Sequence, residues 1–260
     1  MVMKKKEEII VYQNPDPLLV SKQGIFPGVS LLPNNEILII FSIGQAFDSS
    51  DQRPFVTKSK DNGRTWCTPQ QLHNHIYGDH EETDTLKPLL LQNGSLIATG
   101  YAFIRPDPLT PIVNPISFEV LPLKNKISFS NDDGESWTKP NSFSVLNKPL
   151  ELSGPCIQLS SGRILGACPP FHLGENGHSG WIIYSDDNGK NWEKLSEFFN
   201  TPKGEIAAWE CRLCEIDNNG VAVIFWTYDN VKKINLNNHI VYSHDGGENF
   251  ESAIDTGIKA

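Results

Sequence analysis

The stretch Ser185-Asp-Asp-Asn-Gly-Lys-Asn-Trp192 is one of four copies of a short motif in this chain of 260 residues. The copies follow the pattern Ser-x-Asp-x-Gly-x-(Thr/Ser/Asn)-(Trp/Phe), and the other three are SKDNGRTW at 59–66, SNDDGESW at 130–137 and SHDGGENF at 243–250. An Asp carboxylate can fold onto backbone N–H groups of its own turn, and glycine adopts a positive φ without steric cost. Each copy therefore predicts a tight hairpin turn whose final aromatic residue anchors the outgoing strand.

A second repeat lies upstream of each motif and consists of an apolar segment, a polar turn and another apolar segment. Its turn positions lie 59, 68 and 58 residues apart, at Asn35, Gly94, Gly162 and Gly220. The second segments are apolar on both faces, as expected for strands sandwiched between stacked sheets: Ile37–Phe41, Leu96–Thr99, Ile164–Ala167 and Val221–Trp226. A unit of about 60 residues built from two hairpins is typical of a β-propeller blade. The predicted fold class is therefore all-β, with a β-sandwich containing repeated turns as the alternative.

The composition narrows the classes of partner. Lys and Arg number 22 against 31 Asp and Glu, and the resulting net charge of −9 argues against a nucleic-acid partner. No apolar run approaches the roughly 18 residues of a membrane-spanning helix, and the N-terminal segment lacks the apolar core of a secretory signal. We therefore predict a cytoplasmic protein with neither a nucleic-acid nor a membrane partner.

The five cysteines are too sparse for a disulfide framework, although Cys211 and Cys214 have the spacing of a CxxC motif. Both lie in a predicted strand, where residues three apart point to opposite faces, so their sulfur atoms should diverge. We expect no metal or redox role for this pair, but two small buried side chains.

The four short motifs resemble the Asp-box (BNR) repeats of the sialidase superfamily, whose fold is usually a six-bladed propeller. The resemblance covers about residues 10–255 and implies a single propeller domain over residues 1–260. Four to five blades are expected within the chain and the remainder beyond Ala260, with a closed four-bladed ring as the alternative. Asp boxes occur in enzymes and in binding proteins, so they indicate the architecture and not the reaction.

In a propeller the ligand site lies around the central axis, where the segments entering the innermost strands converge. Here these segments are 22–27, 78–87, 147–155 and 205–212. In the last of them, Glu210 matches the sialidase glutamate that activates a tyrosine nucleophile, and that tyrosine would lie beyond this sequence. Glu210 could instead pair with Arg212, because residues two apart on a strand share a face. Glu151 could face Glu210, in which case their repulsion would raise the pKa of one of them.

The resemblance also implies an acid/base aspartate on the loop before the first Asp box. The candidates are Asp48 and Asp51, although loop aspartates commonly cap turns. Arg105 is a candidate for binding an anionic sugar, with pairing to Asp107 as its alternative, and Arg212 is a further candidate for substrate binding. The second of the segments that enter the inner strands, 78–87, concentrates five acidic or histidine side chains: Asp79, His80, Glu81, Glu82 and Asp84. Such a cluster could transfer protons, bind substrate, hold a divalent cation or form a solvated acidic loop.

Two of the sialidase arginines that bind the substrate carboxylate are missing. Ile25 stands at the position of the first and Trp226-Thr227 at that of the second, while the third would lie beyond Ala260. A neutral isoleucine cannot replace a bidentate guanidinium. The predicted function is therefore a sialidase-like exo-glycosidase for a terminal sugar, acidic sugars included, that need not be sialic acid, with no cofactor or metal. The alternative is a propeller that binds carbohydrate or protein without chemistry.

Overall fold

A computed structural model describes residues 7–74, 81–117, 119–170, 179–217 and 219–259, and every helix or strand assigned in these ranges is a β-strand. The strands form four antiparallel sheets, which we call blades 1 to 4. Blade 1 contains β1 (Gln23–Leu31), β2 (Ile37–Gly44), β3 (Arg53–Ser59) and β4 (Gln70–Gln71). Blade 2 contains β5 (Glu81–Leu90), β6 (Leu96–Arg105), β7 (Leu123–Ser130) and β8 (Asn141–Phe143). Blade 3 contains β9 (Ile157–Gln158), β10 (Ile164–Cys168), β11 (Gly180–Ser185) and β12 (Glu193–Phe199). Blade 4 contains β13 (Ile206–Asp217), β14 (Gly220–Asp229), β15 (Ile234–Asn235), β16 (Asn237–Ser243) and β17 (Ile254–Lys259).

Each blade is a meander in which strands that follow one another along the chain pair side by side. The fourth blade has the order β13-β14-β16-β17, with the short β15 paired to β14. Four such sheets in succession form a β-propeller arrangement, which confirms the predicted fold class. The sandwich alternative is wrong, because the strands make four separate sheets and not two that face each other.

The second strand of each blade begins at or beside the residue that the apolar pattern predicts. β2, β6 and β10 begin at Ile37, Leu96 and Ile164, whereas β14 begins at Gly220, one residue early. The preceding turn accordingly has Asn219 at a positive φ in place of Gly220, and the other three turns have Asn35, Gly94 and Gly162 there, as predicted.

The core lies between neighbouring blades. Blades 1 and 2 meet through Leu38 and Ile40 of β2 and Leu86 and Leu96 of blade 2, all of them almost completely buried. Comparable layers separate blades 2 and 3 and blades 3 and 4. Burying one such side chain stabilises the fold by roughly 1.5–3 kcal/mol, so the stacked sheets hold the innermost strands in fixed relative positions.

The Asp boxes form the turns that their sequence predicts. In the third copy, Asp187 accepts a hydrogen bond from the backbone N–H of Asn191 at 2.9 Å, and Ser185 Oγ accepts one from the N–H of Gly189 at 2.9 Å. The indole of Trp192 donates to the carbonyl of Gly189 at 2.9 Å. The Asp and Ser bonds recur in the other three copies, and the glycine of the motif has a positive φ in all four: Gly63, Gly134, Gly189 and Gly247.

Large apolar side chains also lie exposed on the first and last blades. Val29 and Leu31 project from β1, and Ile254 and Ile258 project from β17. Within the described part of the chain, no helix is long and apolar enough to cross a membrane.

Candidate functional site

The first strands of the blades approach one another closely at the centre of the propeller. A Cβ at Gly28 of β1 would lie 2.8 Å from side-chain atoms of Lys87 and Pro88 in β5. A Cβ at Gly154, which precedes β9, would lie 2.5 Å from the carbonyl oxygen of Cys211 in β13. Glycine at both positions therefore allows neighbouring blades to bring their side chains to a common centre, which we call the hub.

Two of these strands carry the same irregularity near the hub. The pairing of β1 with β2 shifts register between Ile25 and Gly28, and that of β13 with β14 shifts between Trp209 and Arg212. Each bulge contains one residue in the left-handed region, namely Phe26 (φ 54°) and Glu210 (φ 49°). Non-glycine residues rarely adopt this conformation, and it is found preferentially at functional sites, where it redirects a side chain.

Glu210 meets Glu151 at the hub, as the sequence predicts. Their carboxyl groups are in hydrogen-bonding contact, and burial raises the pKa of Glu151 well above its usual range, with the charge of Glu210 as a further cause. Arg212 Nη2 lies 3.3 Å from Glu210 Oε2, so the predicted Glu210–Arg212 pair also forms. The charge of Arg212 lowers the pKa of Glu151 but offsets only part of that rise. Glu151 is therefore the protonated member of the pair and Glu210 its ion-paired acceptor.

Asp48 adds a third carboxyl group from blade 1. Its backbone has a positive φ of 53°, its N–H donates to Gln52 Oε1 at 3.1 Å, and its carbonyl accepts a hydrogen bond from Arg105. Burial raises the pKa of Asp48 to about 6; Arg105 opposes this rise and the charge of Glu210 adds to it. Glu210 thus raises the pKa of two other carboxyl groups, Asp48 and Glu151, which come from two other segments of the chain.

Two hub residues were missed in the sequence. Lys87 of β5 is 3% exposed, and burial together with the nearby Arg212 lowers its pKa to about 7, against the attraction of Glu210. Tyr101 of β6 is buried as well, and burial raises its pKa, with Glu151 as the next cause. The sequence does contain a signal for Lys87, because it is the one charged residue in the apolar run 86–91.

Asp51 and Arg105 have structural partners. Asp51 Oδ1 accepts a hydrogen bond from the backbone N–H of Gln45 at 3.0 Å, which is the turn-cap alternative. The Arg105 guanidinium donates to Thr83 Oγ1 at 2.9 Å and to the carbonyls of Asp48 and Thr110, and it makes no ion pair with Asp107 within 4 Å. Arg105 therefore positions the Asp48 loop, and a direct role of Arg105 or Asp51 toward a sugar stays a prediction.

The described part of the acidic segment does not form the loop that was expected. Residues 81–84 belong to strand β5, because β5 pairs with β6 along ten residues. Glu82 lies 3.0 Å from Lys126 Nζ, and Asp84 is buried at the seam between blades 1 and 2, 3.8 Å from His73 Nε2. The predicted candidates Asp79 and His80 lie outside the described residues.

Cys211 is buried and Cys214 is exposed, so the predicted divergence of their side chains is confirmed, whereas the expected burial of Cys214 is wrong. In the ranges that the structure describes, no group of three or more His, Cys, Asp or Glu side chains is placed to hold a metal ion. Operation without a cofactor stays a prediction.

Comparisons with known proteins bear on the architecture. A BNR/Asp-box repeat model matches residues 183–194, within the third Asp box and its flanks. A solved protein of unknown function from Dyadobacter fermentans is 22% identical, with a TM-score of 0.77 over 98% of this chain and 73% of that one. The K499G mutant of the NanB sialidase from Streptococcus pneumoniae is 14% identical, with a TM-score of 0.69 over 95% of this chain and 54% of that one. The chain has the sialidase-type β-propeller fold.

This sialidase-type propeller also matches the leech intramolecular trans-sialidase, at 15% identity and a TM-score of 0.66, over 99% of this chain. The chain spans about half the length of both sialidases, 54% in each case. No curated protein matches its sequence. At such identities the likeness establishes the fold alone, so the reaction has to be argued from the hub.

Proposed function

We propose that the protein is a sialidase-like exo-glycosidase that hydrolyses a terminal sugar at the hub. The observation that supports this most directly is that Glu210 contacts Glu151 and also acts electrostatically on Asp48. One of these groups is a carboxyl that titrates near pH 6 and another is an ion-paired carboxylate. A glycosidase requires that combination, because one group must donate a proton while another accepts one.

The contact between Glu151 and Glu210 decides how the roles are divided. The two working carboxyl groups of a glycosidase flank the scissile bond and stand roughly 5–10 Å apart. Glu151 and Glu210 touch each other and cannot flank a sugar ring, so they act as one unit. Asp48 is then the proton donor to the leaving oxygen, and Glu210 accepts the proton of the attacking group. Glu151 holds Glu210 in place through its hydrogen bond and is a positioning residue.

The sialidase resemblance implies that the attacking group is a tyrosine from outside this sequence. Water activated by Glu210 gives the same overall balance: one O–H bond of water breaks, its oxygen bonds to the anomeric carbon, and Asp48 protonates the departing alcohol. Within the described residues, the tyrosine at the hub is Tyr101, whose raised pKa suits hydrogen-bond donation better than nucleophilic attack.

A carbohydrate-binding propeller without activity is the second candidate. It is favoured by the Glu210–Arg212 ion pair, which occupies the proposed base, and by the absence of arginine at positions 25 and 227. Partly buried aromatic rings near Glu210 could stack against a sugar. Trp226 and Glu210 share the lining of an open cavity of about 310 Å³.

Release of a terminal sugar from chromogenic glycosides separates the two candidates. The set should include sialic acid, uronic acid and neutral sugars, and the variants should be Asp48→Asn and Asp51→Asn, two neighbours on one loop. We expect wild-type turnover on at least one glycoside, a loss of about 100-fold or more in Asp48→Asn, and little change in Asp51→Asn, whose side chain still caps Gln45. Glycan binding by the folded wild-type protein without any product would overturn the proposal and select the binding protein.

A further inference from the structure

Lys87 is a buried cation whose hydrogen-bonding capacity is mostly unused. Its Nζ donates to Thr85 Oγ1 at 3.0 Å and lies 5.4 Å from the centre of the Phe26 ring. Among the described residues, no carboxylate lies within 4 Å of this ammonium group, which has three donors in all. A buried ammonium with one neutral partner is costly unless an anion completes its surroundings.

The charged groups that act on Lys87 do not supply that anion. Arg212 and Lys87 are both close to Glu210, and Arg212 already holds its carboxylate in an ion pair. Burial raises the pKa of Glu151 well above its usual range and so favours its uncharged form. With Lys87 charged, two cations therefore share one carboxylate, which leaves an excess positive charge where β5 and β13 meet at the hub.

The local packing leads the lysine to this position. Its stem passes against Gly28, where a Cβ would lie 2.8 Å from Lys87 Cδ, and its head lies over Phe26 at the β1 bulge. The aromatic face stabilises the cation without neutralising it. Strand β1 therefore supports the ammonium group and leaves its remaining donors for a ligand.

We propose that Lys87, together with Arg212, binds the carboxylate of an acidic sugar and so selects acidic over neutral sugars. The inference rests on the hub being the sugar site of the proposed function, but it does not require turnover. It assigns the anion-binding role to two residues on different inner strands, in a chain that has isoleucine and threonine at positions 25 and 227.

The proposed contact should depend on pH. Burial lowers the pKa of Lys87 to about 7, Arg212 lowers it further and Glu210 opposes the fall. The groups of β1 and β5 beside it, Phe26 and Thr85, do not titrate. The amine is charged below its pKa, and a bound carboxylate raises that pKa. Affinity should therefore be highest below about pH 7 and should fall above it by up to tenfold per pH unit, until the pKa of the complex is reached.

The test is binding to a glycan array, followed by calorimetric titration of the acidic glycans retained and of their neutral counterparts, at about pH 6 and about pH 8. We expect wild-type protein to retain acidic glycans at the lower pH and to lose most of that affinity at the higher one. Lys87→Met should lower affinity for the acidic glycans about 10- to 100-fold and leave the neutral ones unchanged. Lys87→Arg, which is charged at both pH values, should keep acidic binding and lose its pH dependence.

A second variant, Thr85→Val, tests the proposal if Lys87→Met fails to fold. It removes the acceptor of the Lys87 Nζ hydrogen bond and leaves the lysine in place. The midpoint of the pH dependence of acidic-glycan affinity should therefore shift downward. Three outcomes would each overturn the proposal. The wild-type protein could retain neutral glycans only, Lys87→Met could lose affinity for acidic and neutral glycans equally, or Lys87→Arg could keep the pH dependence of the wild type. Sulfated glycans on the same array report whether the site accepts any anion; retention of these without carboxylated ones would also contradict it. Binding of acidic glycans without any product would defeat the proposed hydrolysis and leave this inference standing.

Discussion

The bulges in β1 and β13 have the same backbone irregularity and carry opposite chemistry. Both place one residue at a positive φ near the hub, but that residue is aromatic in blade 1 and a carboxylate in blade 4. Phe26 lies beneath a lysine ammonium, whereas Glu210 contacts a protonated glutamate and an arginine. The fold therefore supplies equivalent positions, and the residue at each position decides whether it supports a cation or moves a proton.

The largest effect should come from the carboxylate bulge. Glu210→Gln keeps the size and hydrogen bonds of the side chain but cannot accept a proton, so cleavage of the best glycoside should fall by about 10²- to 10⁴-fold. Phe26→Leu at the matching bulge should change turnover less than about tenfold, because it removes only the support of Lys87. Steady-state kinetics of the two variants measure the contrast, and equal losses would mean that the bulges do not differ in role.

Stability should distinguish the two close approaches beside the bulges. Gly154→Ala drives a Cβ to 2.5 Å from the Cys211 backbone, whereas Gly28→Ala meets side chains at 2.8 Å. Backbone cannot move aside as readily as a lysine stem, so we expect losses of about 3 and about 1 kcal/mol in the free energy of unfolding. Chemical denaturation of both variants tests the order; a reversal would show that blades 3 and 4 are less tightly apposed than blades 1 and 2.

The pH dependence of turnover should follow Asp48. As the proton donor, Asp48 is active while protonated, and its pKa is raised to about 6, so kcat should fall as the pH rises through about 6. In Asp48→Asn this alkaline limb should disappear from the residual activity. A limb that persists in the variant would assign the proton donor to another group.

The smallest effect should come from the four Asp-box turns at 59–66, 130–137, 185–192 and 243–250, which we call the rim. Ser136 holds the pKa of Asp132 at about 2, so the Asp132 interaction stabilises the fold above its ordinary pKa of 3.8 and is lost as the pH falls through about 2. Asp132→Ala should lower Tm by a few degrees at neutral pH, with the difference vanishing near pH 2, and should leave turnover unchanged. Thermal melts across pH check this; altered turnover would mean that rim and hub are coupled.

The rim could be predicted from sequence and the hub only in part. Each Asp box is held by bonds between residues two to four apart, so a local motif suffices to predict it. The meeting of Glu151 and Glu210 could be predicted because the repeat places both in segments that enter the inner strands. Lys87 could not, since its burial depends on Phe26 and Gly28 from another blade. Residues 81–84 were predicted as a loop because three of the four are acidic, whereas in the structure they pair with β6 as part of β5.

The proposed reaction requires Asp48 and the Glu151–Glu210 pair to interact at the hub, and carbon-13 NMR titration of the aspartate and glutamate side chains tests this without a substrate. We predict that Asp48 titrates at about pH 6, that Glu151 stays protonated at neutral pH, and that Glu210→Gln lowers the pKa of Asp48. Titration of Asp48 near 3.8, unchanged in Glu210→Gln, would contradict this arrangement of the hub.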